Sequence, residues 1–195
     1  GIEKYFDEDL NNAEKINFPL RLTLDSNLQH LIRNELISAE KHFNNIGSGA
    51  ILMDVENGEI LSLVSLPDYD LNQRVSINEN IYINKITLGV YELGSVFKTF
   101  TIAAGLENKV IKPNTIFKNL EHSLTCDKYT ISEHDKLPKN LNSEQILIRS
   151  SNIGAVRIAQ KVGVKQYKKF LKTLGLLDTI NFELEEIGTP LPFKW

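Results

Sequence analysis

Two apolar, strand-like runs, Ala50-Ile51-Leu52-Met53-Asp54-Val55 and Glu59-Ile60-Leu61-Ser62-Leu63-Val64-Ser65-Leu66, are separated by Asn57-Gly58. Asn-Gly in that setting is a strong hairpin signal, because both central residues of a type I′ turn need positive φ and these two tolerate it. A hairpin over 49–66 is predicted, stopped by Pro67-Asp68 and followed by a polar loop to about Leu88. Ahead of it, Leu28, Leu31, Ile32, Leu36, Ala39 and Phe43 recur at steps of three and four. That spacing predicts an amphipathic helix over 25–43, capped by Asp25 or Ser26. Residues to about Leu22 read as an extended or irregular lead-in.

Beyond the hairpin the signals are helical. Gly94-Ser95 opens a mostly apolar segment with Val96, Phe97, Phe100, Ile102, Ala103, Ala104 and Leu106, predicting a largely buried helix from about 95 to 107. From Pro113 to Asn142 the chain reads as irregular. Ser143 caps a short helix over 144–149, with Ile146 where a full capping box would want Glu or Gln. Helices over 152–162 and 165–174 end at Gly163 and Gly175. A helix, a hairpin and then several helices define an α+β chain rather than alternating βαβ units.

Composition narrows the function. With 42% hydrophobic and 24% charged residues the chain is an ordinary globular one. A net charge of −3 and a pI near 5.9 offer a phosphate backbone no basic footprint, so no nucleic-acid partner is expected. No apolar run approaches the ~18–20 residues that span a bilayer. Gly1 to Leu10 are too acidic and polar for a signal peptide. Cys126, the single cysteine, forms no internal disulfide. Starting at Gly rather than Met, the chain reads as a piece of something larger.

Ser95-Val96-Phe97-Lys98 is the first candidate for chemistry. Three residues apart on a helix, two side chains share a face, about 4.5 Å apart along the axis. Serine is a poor nucleophile until a base takes its proton, and lysine can be that base only when neutral. Burial among Val96, Phe97, Phe100 and Ile102 would favour the neutral amine, and a helix start offers unpaired N–H groups to an oxyanion. A chance Ser-x-x-Lys is common, and a second one, Ser38-Ala39-Glu40-Lys41, falls on the amphipathic helix and reads as surface. Ser150-Ser151-Asn152 is the second candidate. Serine and asparagine at a helix junction are usually caps. A hydroxyl and a carboxamide two residues apart can also protonate a leaving amine and hold a substrate amide. The same tripeptide pattern recurs as Ser76-Ile77-Asn78 in the polar loop.

Metal and cofactor readings find no support. His30, His42, His122 and His134 show no HExxH or paired spacing, and a zinc site from His122, Cys126 and His134 is disfavoured. His134-Asp135 lacks a Gly-x-Ser-x-Gly nucleophile elbow, and Gly47-Ser48-Gly49 lacks the Lys of a phosphate loop. No cofactor and no metal are expected.

In order along the chain, these segments resemble the transpeptidase domain of class B penicillin-binding proteins, the division and elongation type. Gly1-Ile2-Glu3 is similar to the family's lead-in, and Leu22-Thr23-Leu24-Asp25 with Gln29 to its first helix start. Gly49 through Leu61, with Pro67 and Asp70-Leu71-Asn72, is similar to its first hairpin and following loop. Tyr91-Glu92-Leu93-Gly94-Ser95-Val96-Phe97-Lys98 with Ala103-Ala104-Gly105-Leu106-Glu107 resembles the nucleophile helix, and Ser150-Ser151-Asn152-Ile153-Gly154 the second motif.

The resemblance implies a truncated penicillin-binding, serine β-lactamase-like fold: the hairpin of the central sheet plus a helical subdomain. Residues 1–24 would be a lead-in from the non-catalytic region, and 25–195 the N-terminal part of the transpeptidase domain. It implies that Ser95 attacks the penultimate D-Ala of a peptidoglycan stem peptide, Lys98 takes its proton, Ser150 relays a proton to the departing D-Ala, and Asn152 holds the substrate amide. β-Lactams would acylate the same Ser95. The parent would be anchored in the cytoplasmic membrane, work on its outer, periplasmic face, and meet other wall-synthesis and division proteins.

Two departures from the pattern stand out. Leu93 replaces the Pro that usually precedes Gly-Ser, and no Lys-(Ser/Thr)-Gly third motif follows Ser150 before Lys194-Trp195. The second departure implies little or no activity for the chain alone. It also keeps open a non-catalytic interaction module and, on the same nucleophile, a β-lactam hydrolase.

Overall fold

The computed structural model describes residues 2–12, 19–70, 72 and 81–192. Gly1, Leu71, Ser76-Ile77-Asn78 and Lys194-Trp195 of the sequence reading lie outside the described residues. The chain is α+β and divides into two compact units, Gly1–Val90 with Thr179–Thr189 and Tyr91–Asp178 with Pro190–Trp195.

In the first unit, two short helices, α1 (Ile2–Tyr5) and α2 (Asp7–Asn11), stand where an irregular lead-in was expected. Asp7, Glu8 and Asp9 crowd the first turn of α2, where carboxylates favour the positive dipole end, and Asn11 Nδ2 bonds back to the Asp7 carbonyl at 2.9 Å. Helix α3 (Ser26–Phe43) starts as predicted. Asp25 Oδ1 accepts from the N–H groups of Asn27 and Leu28 at 2.8 and 3.0 Å. Ser38 and Lys41, the surface Ser-x-x-Lys pair, are exposed on it.

Strands β1 (Ser48–Met53) and β2 (Ile60–Leu66) form the antiparallel hairpin, with Ser48 opposite Leu66. Every second residue of β2 from Ser62 to Leu66 is buried, as period-two alternation requires. Gln29 of α3 stitches the helix to this strand: Oε1 accepts from Ser62 Oγ and Leu63 N–H, and Nε2 donates to the Leu63 carbonyl.

The turn is not the predicted type I′. Among its residues only Gly58 has positive φ, at +81°, and the Gly58 N–H bonds the Asp54 carbonyl at 2.8 Å. Asp54 and Asn57 explain the change. Their side chains accept from the N–H groups of Glu56 and Glu59, each at 2.8 Å, and these local bonds favour a longer helical turn over a two-residue one.

In the second unit the predicted 95–107 helix begins as a 3-10 turn, Gly94–Phe97, and becomes α-helical as α4 (Lys98–Glu107). The stretch read as irregular holds four short strands: β3 (Ile116–Phe117) pairs with β6 (Leu141–Asn142), and β4 (Ser123–Cys126) with β5 (Tyr129–Ser132). Asp127, at φ 52°, turns the β4–β5 hairpin.

Helix α5 (Ser143–Ile148) is capped one residue earlier than predicted. Asn142 Oδ1 accepts from the Gln145 N–H, and Gln145 Oε1 accepts from the Asn142 N–H, so the capping box is complete. Helices α6 (Asn152–Val162) and α7 (Val164–Thr173) follow. Ile102, Ile111, Phe117, Leu120, Leu141, Ile146, Ile153 and Ile158 form the core of this unit. Two glycines let its helices pack closely. A Cβ on Gly105 of α4 would meet Ile111 at 2.7 Å and Ile158 of α6 at 3.0 Å, and one on Gly154 of α6 would meet Ile146 of α5 at 2.6 Å.

Leu93 takes φ −70° and ψ −10°, half exposed, a conformation proline adopts without strain. Its N–H bonds no described residue. Leu93→Pro is therefore expected to raise stability by about 0.5–1 kcal/mol, through the entropy of the unfolded chain. Thermal unfolding of the two proteins checks this; a lowered midpoint would show that the turn into α4 does not tolerate the ring.

Candidate active site

All four predicted site residues lie in the second unit. Ser95 occupies the 3-10 turn and is exposed, and Lys98 begins α4, its backbone N–H bonded to the Ser95 carbonyl. Ser95 and Lys98 thus stand one turn apart, as the motif predicts. The Lys98 amine, however, bonds Ser150. It donates to the Ser150 carbonyl at 2.5 Å and to Ser150 Oγ at 2.9 Å, while Ser95 Oγ bonds no described residue. One residue offering two acceptors captures a flexible ammonium stem better than one offering a single hydroxyl.

The backbone at Ser150 explains why it can offer both. Helix α5 ends in a Schellman arrangement: the Ser150 N–H bonds Leu147 O at 3.0 Å, and the Ser151 N–H bonds Ile146 O at 2.9 Å. The residue after the cap must then be left-handed, and Ser150 has φ 51° at the position where glycine usually stands. A serine held there costs on the order of 1–2 kcal/mol. In return its carbonyl and hydroxyl converge on one amine.

Burial pushes the Lys98 amine below the ordinary lysine range, and the charge of Glu133 partly restores it. A neutral amine has two N–H bonds and one lone pair. Once the amine has lost its proton, two donors spent on Ser150 leave the lone pair for a serine proton.

Asn152 opens α6. Its Nδ2 donates to the Ser132 carbonyl at the end of β5 at 2.7 Å, leaving Oδ1 free to accept, and its N–H donates to Glu133 Oε2 at 2.7 Å. Ser151 is the cap expected of the junction. Its Oγ accepts from the Gly154 N–H at 2.9 Å and donates to Glu133 Oε1 at 2.6 Å. The Ile153 N–H adds a third donor to that carboxylate, at 3.0 Å.

Glu133 is the residue that sequence reasoning missed. It is 8% exposed, although its neighbours His134 and Asp135 are exposed. Its signal was positional: Glu133 directly follows β5, a strand that was not predicted, and stands two residues after the half-buried Ile131, its N–H still bonded to the His122 carbonyl at 2.9 Å. An open groove of about 310 Å³ is lined by Leu120, His122, Glu133, Lys136, Pro138 and Leu141 among others, and by none of the four predicted residues. No group of three or more His, Cys, Asp or Glu placed to hold a metal occurs among the described residues.

A serine and a lysine one turn apart, with a second serine bonded to the lysine's amine and an asparagine two residues beyond that serine, are the kinds of group that serine acyl transfer uses. The chain belongs to the penicillin-binding protein transpeptidase domain family, whose model matches residues 48–195. It is 32% identical to a probable peptidoglycan D,D-transpeptidase FtsI of Caulobacter vibrioides, over 100% of this chain and 33% of that protein. It is 27% identical to stage V sporulation protein D of Bacillus subtilis, over 99% of this chain and 34% of that protein. The chain therefore spans about a third of the length of these curated relatives.

Solved structures agree on the fold. The apo TP domain of penicillin-binding protein 3 from Burkholderia pseudomallei matches with a TM-score of 0.73 and 25% identity, over 86% of this chain and 46% of that one. A peptidoglycan glycosyltransferase from Burkholderia ambifaria matches with a TM-score of 0.77 and 25% identity, over 90% and 51%. The α+β arrangement here is thus part of a larger penicillin-binding transpeptidase fold.

Proposed function

We propose that this chain is the part of a peptidoglycan D,D-transpeptidase that carries its nucleophile, its base and its leaving-group relay. Residues 25–195 are read as the N-terminal part of the catalytic domain, and 1–24 as a lead-in to it. Ser95 Oγ attacks the carbonyl of the penultimate D-Ala of a stem peptide while its proton passes to the lone pair of Lys98. The tetrahedral intermediate collapses to an acyl-serine. The C–N bond to the terminal D-Ala breaks, and its nitrogen takes a proton passed from Lys98 through Ser150 Oγ. Asn152 holds the substrate amide through Oδ1. The amine of a second stem peptide then attacks the acyl-serine, forming the cross-link and restoring the Ser95 hydroxyl. β-Lactams acylate the same oxygen.

The observation that carries this reading is the Lys98 amine seated on Ser150. It joins two motifs 52 residues apart in sequence at one proton-transfer point. The cross-linking substrate lies outside the cytoplasmic membrane, so the longer protein is placed at the outer face of that membrane, beside other wall-synthesis proteins. No helix among the described residues is long and apolar enough to cross a membrane.

The test is to incubate the full-length protein that contains this chain with a fluorescent penicillin and map the label by peptide mass. Label on Ser95 is the expected result. Label elsewhere, or none, overturns the assignment, and rapid turnover of a chromogenic cephalosporin would make the protein a hydrolase instead.

A further inference from the structure

The second motif does not hold its own shape. Ser150 sits in a left-handed conformation, and α6 begins two residues later with N–H groups that have no intrahelical partner. Four contacts converge on this junction from Ser132, the last residue of β5, and Glu133, which follows it; the motif itself includes neither. The Ser132 carbonyl accepts from Asn152 Nδ2, Glu133 Oε2 accepts from the Asn152 N–H, and Oε1 accepts from Ser151 Oγ and from the Ile153 N–H. We infer that Glu133 is a positioning residue for this site: its carboxylate clamps the start of α6 and so fixes where Ser150 and Asn152 stand relative to Lys98.

Carboxylate chemistry fits the place. Three donors, two from backbone and one from a hydroxyl, meet an acceptor-only group with two oxygens. They do so at the positive end of a helix dipole, where negative charge is favoured. Glutamine would keep the shape but turn an NH₂ toward an N–H, leaving two donors face to face. Glu133 is also the charged residue whose field acts on Lys98, and that field raises the amine's pKa against the lowering by burial. The clamp therefore carries a charge that the base senses as well as a geometry.

This inference rests on the acyl-transfer reading for its kinetic consequence and not for its structural one, so two measurements separate them. The first is amide hydrogen exchange in Glu133→Gln of the full-length protein. Faster exchange at Asn152 and Ile153 is expected, and unchanged exchange at both overturns the clamp whatever the protein's activity. The second is the rate of labelling by a fluorescent penicillin across pH. Misplacing reacting groups by about 1 Å costs on the order of a hundredfold, so Glu133→Gln should label about a hundredfold more slowly. Its rising limb should also move to lower pH, because the charge that raised the Lys98 pKa is gone. A merely structural loss would admit water to Lys98 and move the limb up, and that result overturns the inference.

Ile158→Val, a core variant away from the carboxylate, serves as the stability control. Equal slowing in the two variants at equal unfolding midpoints also overturns the inference. Should Glu133→Gln fail to fold, Ser151→Ala removes one arm of the clamp and keeps the charge. Faster exchange at Asn152 and Ile153, the amides the carboxylate holds, and slower labelling with an unmoved limb support the clamp, and wild-type behaviour in both sinks it. Absence of label on Ser95 in the wild type would count against the transpeptidase reading alone.

Discussion

Lys98→Met is expected to slow acylation of the full-length protein by roughly a hundred- to ten-thousand-fold, the usual worth of a positioned general base. Methionine keeps an unbranched apolar stem at the start of α4, so the variant should fold. The wild-type rate should rise with pH as the amine loses its proton, and because burial lowers the Lys98 pKa that rise falls below the ordinary value of 10.5. Stability follows the same group. Between the lowered folded value and 10.5 the unfolded chain holds a proton that the folded one has lost, so stability from this residue increases with pH across that window. Lys98→Met should abolish both effects. A time course of fluorescent-penicillin labelling across pH decides the matter; a variant that labels at the wild-type rate removes Lys98 from the chemistry.

The second large effect concerns Ser150, where stability and activity should part. Ser150→Gly and Ser150→Ala both remove the hydroxyl, and each is expected to slow acylation by on the order of a hundredfold or more through loss of the proton relay. Only glycine relieves the left-handed backbone. Ser150→Gly should therefore be more stable than Ser150→Ala by about 1 kcal/mol. Thermal unfolding of the pair measures this difference directly, since both have lost the same bond to Lys98. Equal midpoints would mean that the φ of 51° carries no penalty.

Sequence patterns were informative wherever one local rule dominated. The helix that the stripe from Leu28 to Phe43 predicts and the caps at Asp25 and Ser151 follow from periodicity and hydrogen-bonding capacity and appear as expected, although Leu31 and Phe43 of that stripe stay exposed. The hairpin was legible, but its turn was not, because Asp54 and Asn57 supply competing local bonds that outrank the Asn-Gly signal. Strands β3 to β6 are two to four residues long, too short for period-two alternation to register, and β3 and β6 exist only by pairing with each other across the 23 positions between Phe117 and Leu141. Ser95, Lys98, Ser150 and Asn152 could each be picked out by motif. The seat of the Lys98 amine on Ser150 could not, because it depends on the left-handed turn that ends α5. Glu133 was hidden for a related reason: a carboxylate in a polar stretch reads as surface until the strand that ends just before it, and the helix start it meets, are known.

The absent methyl groups at Gly105 and Gly154 tie mechanical fit to reactivity. Alanine is the better helix former at either position, yet there its side chain would press on Ile111 and Ile158 or on Ile146, and overpacking of that kind costs about 1–3 kcal/mol. The strain would be relieved by spreading apart the rods that carry the amine at one end and the carboxamide at the other. Efforts to toughen this protein by raising helicity would thus loosen its reaction centre first. Gains are better sought at the exposed face of α3, which belongs to the other unit.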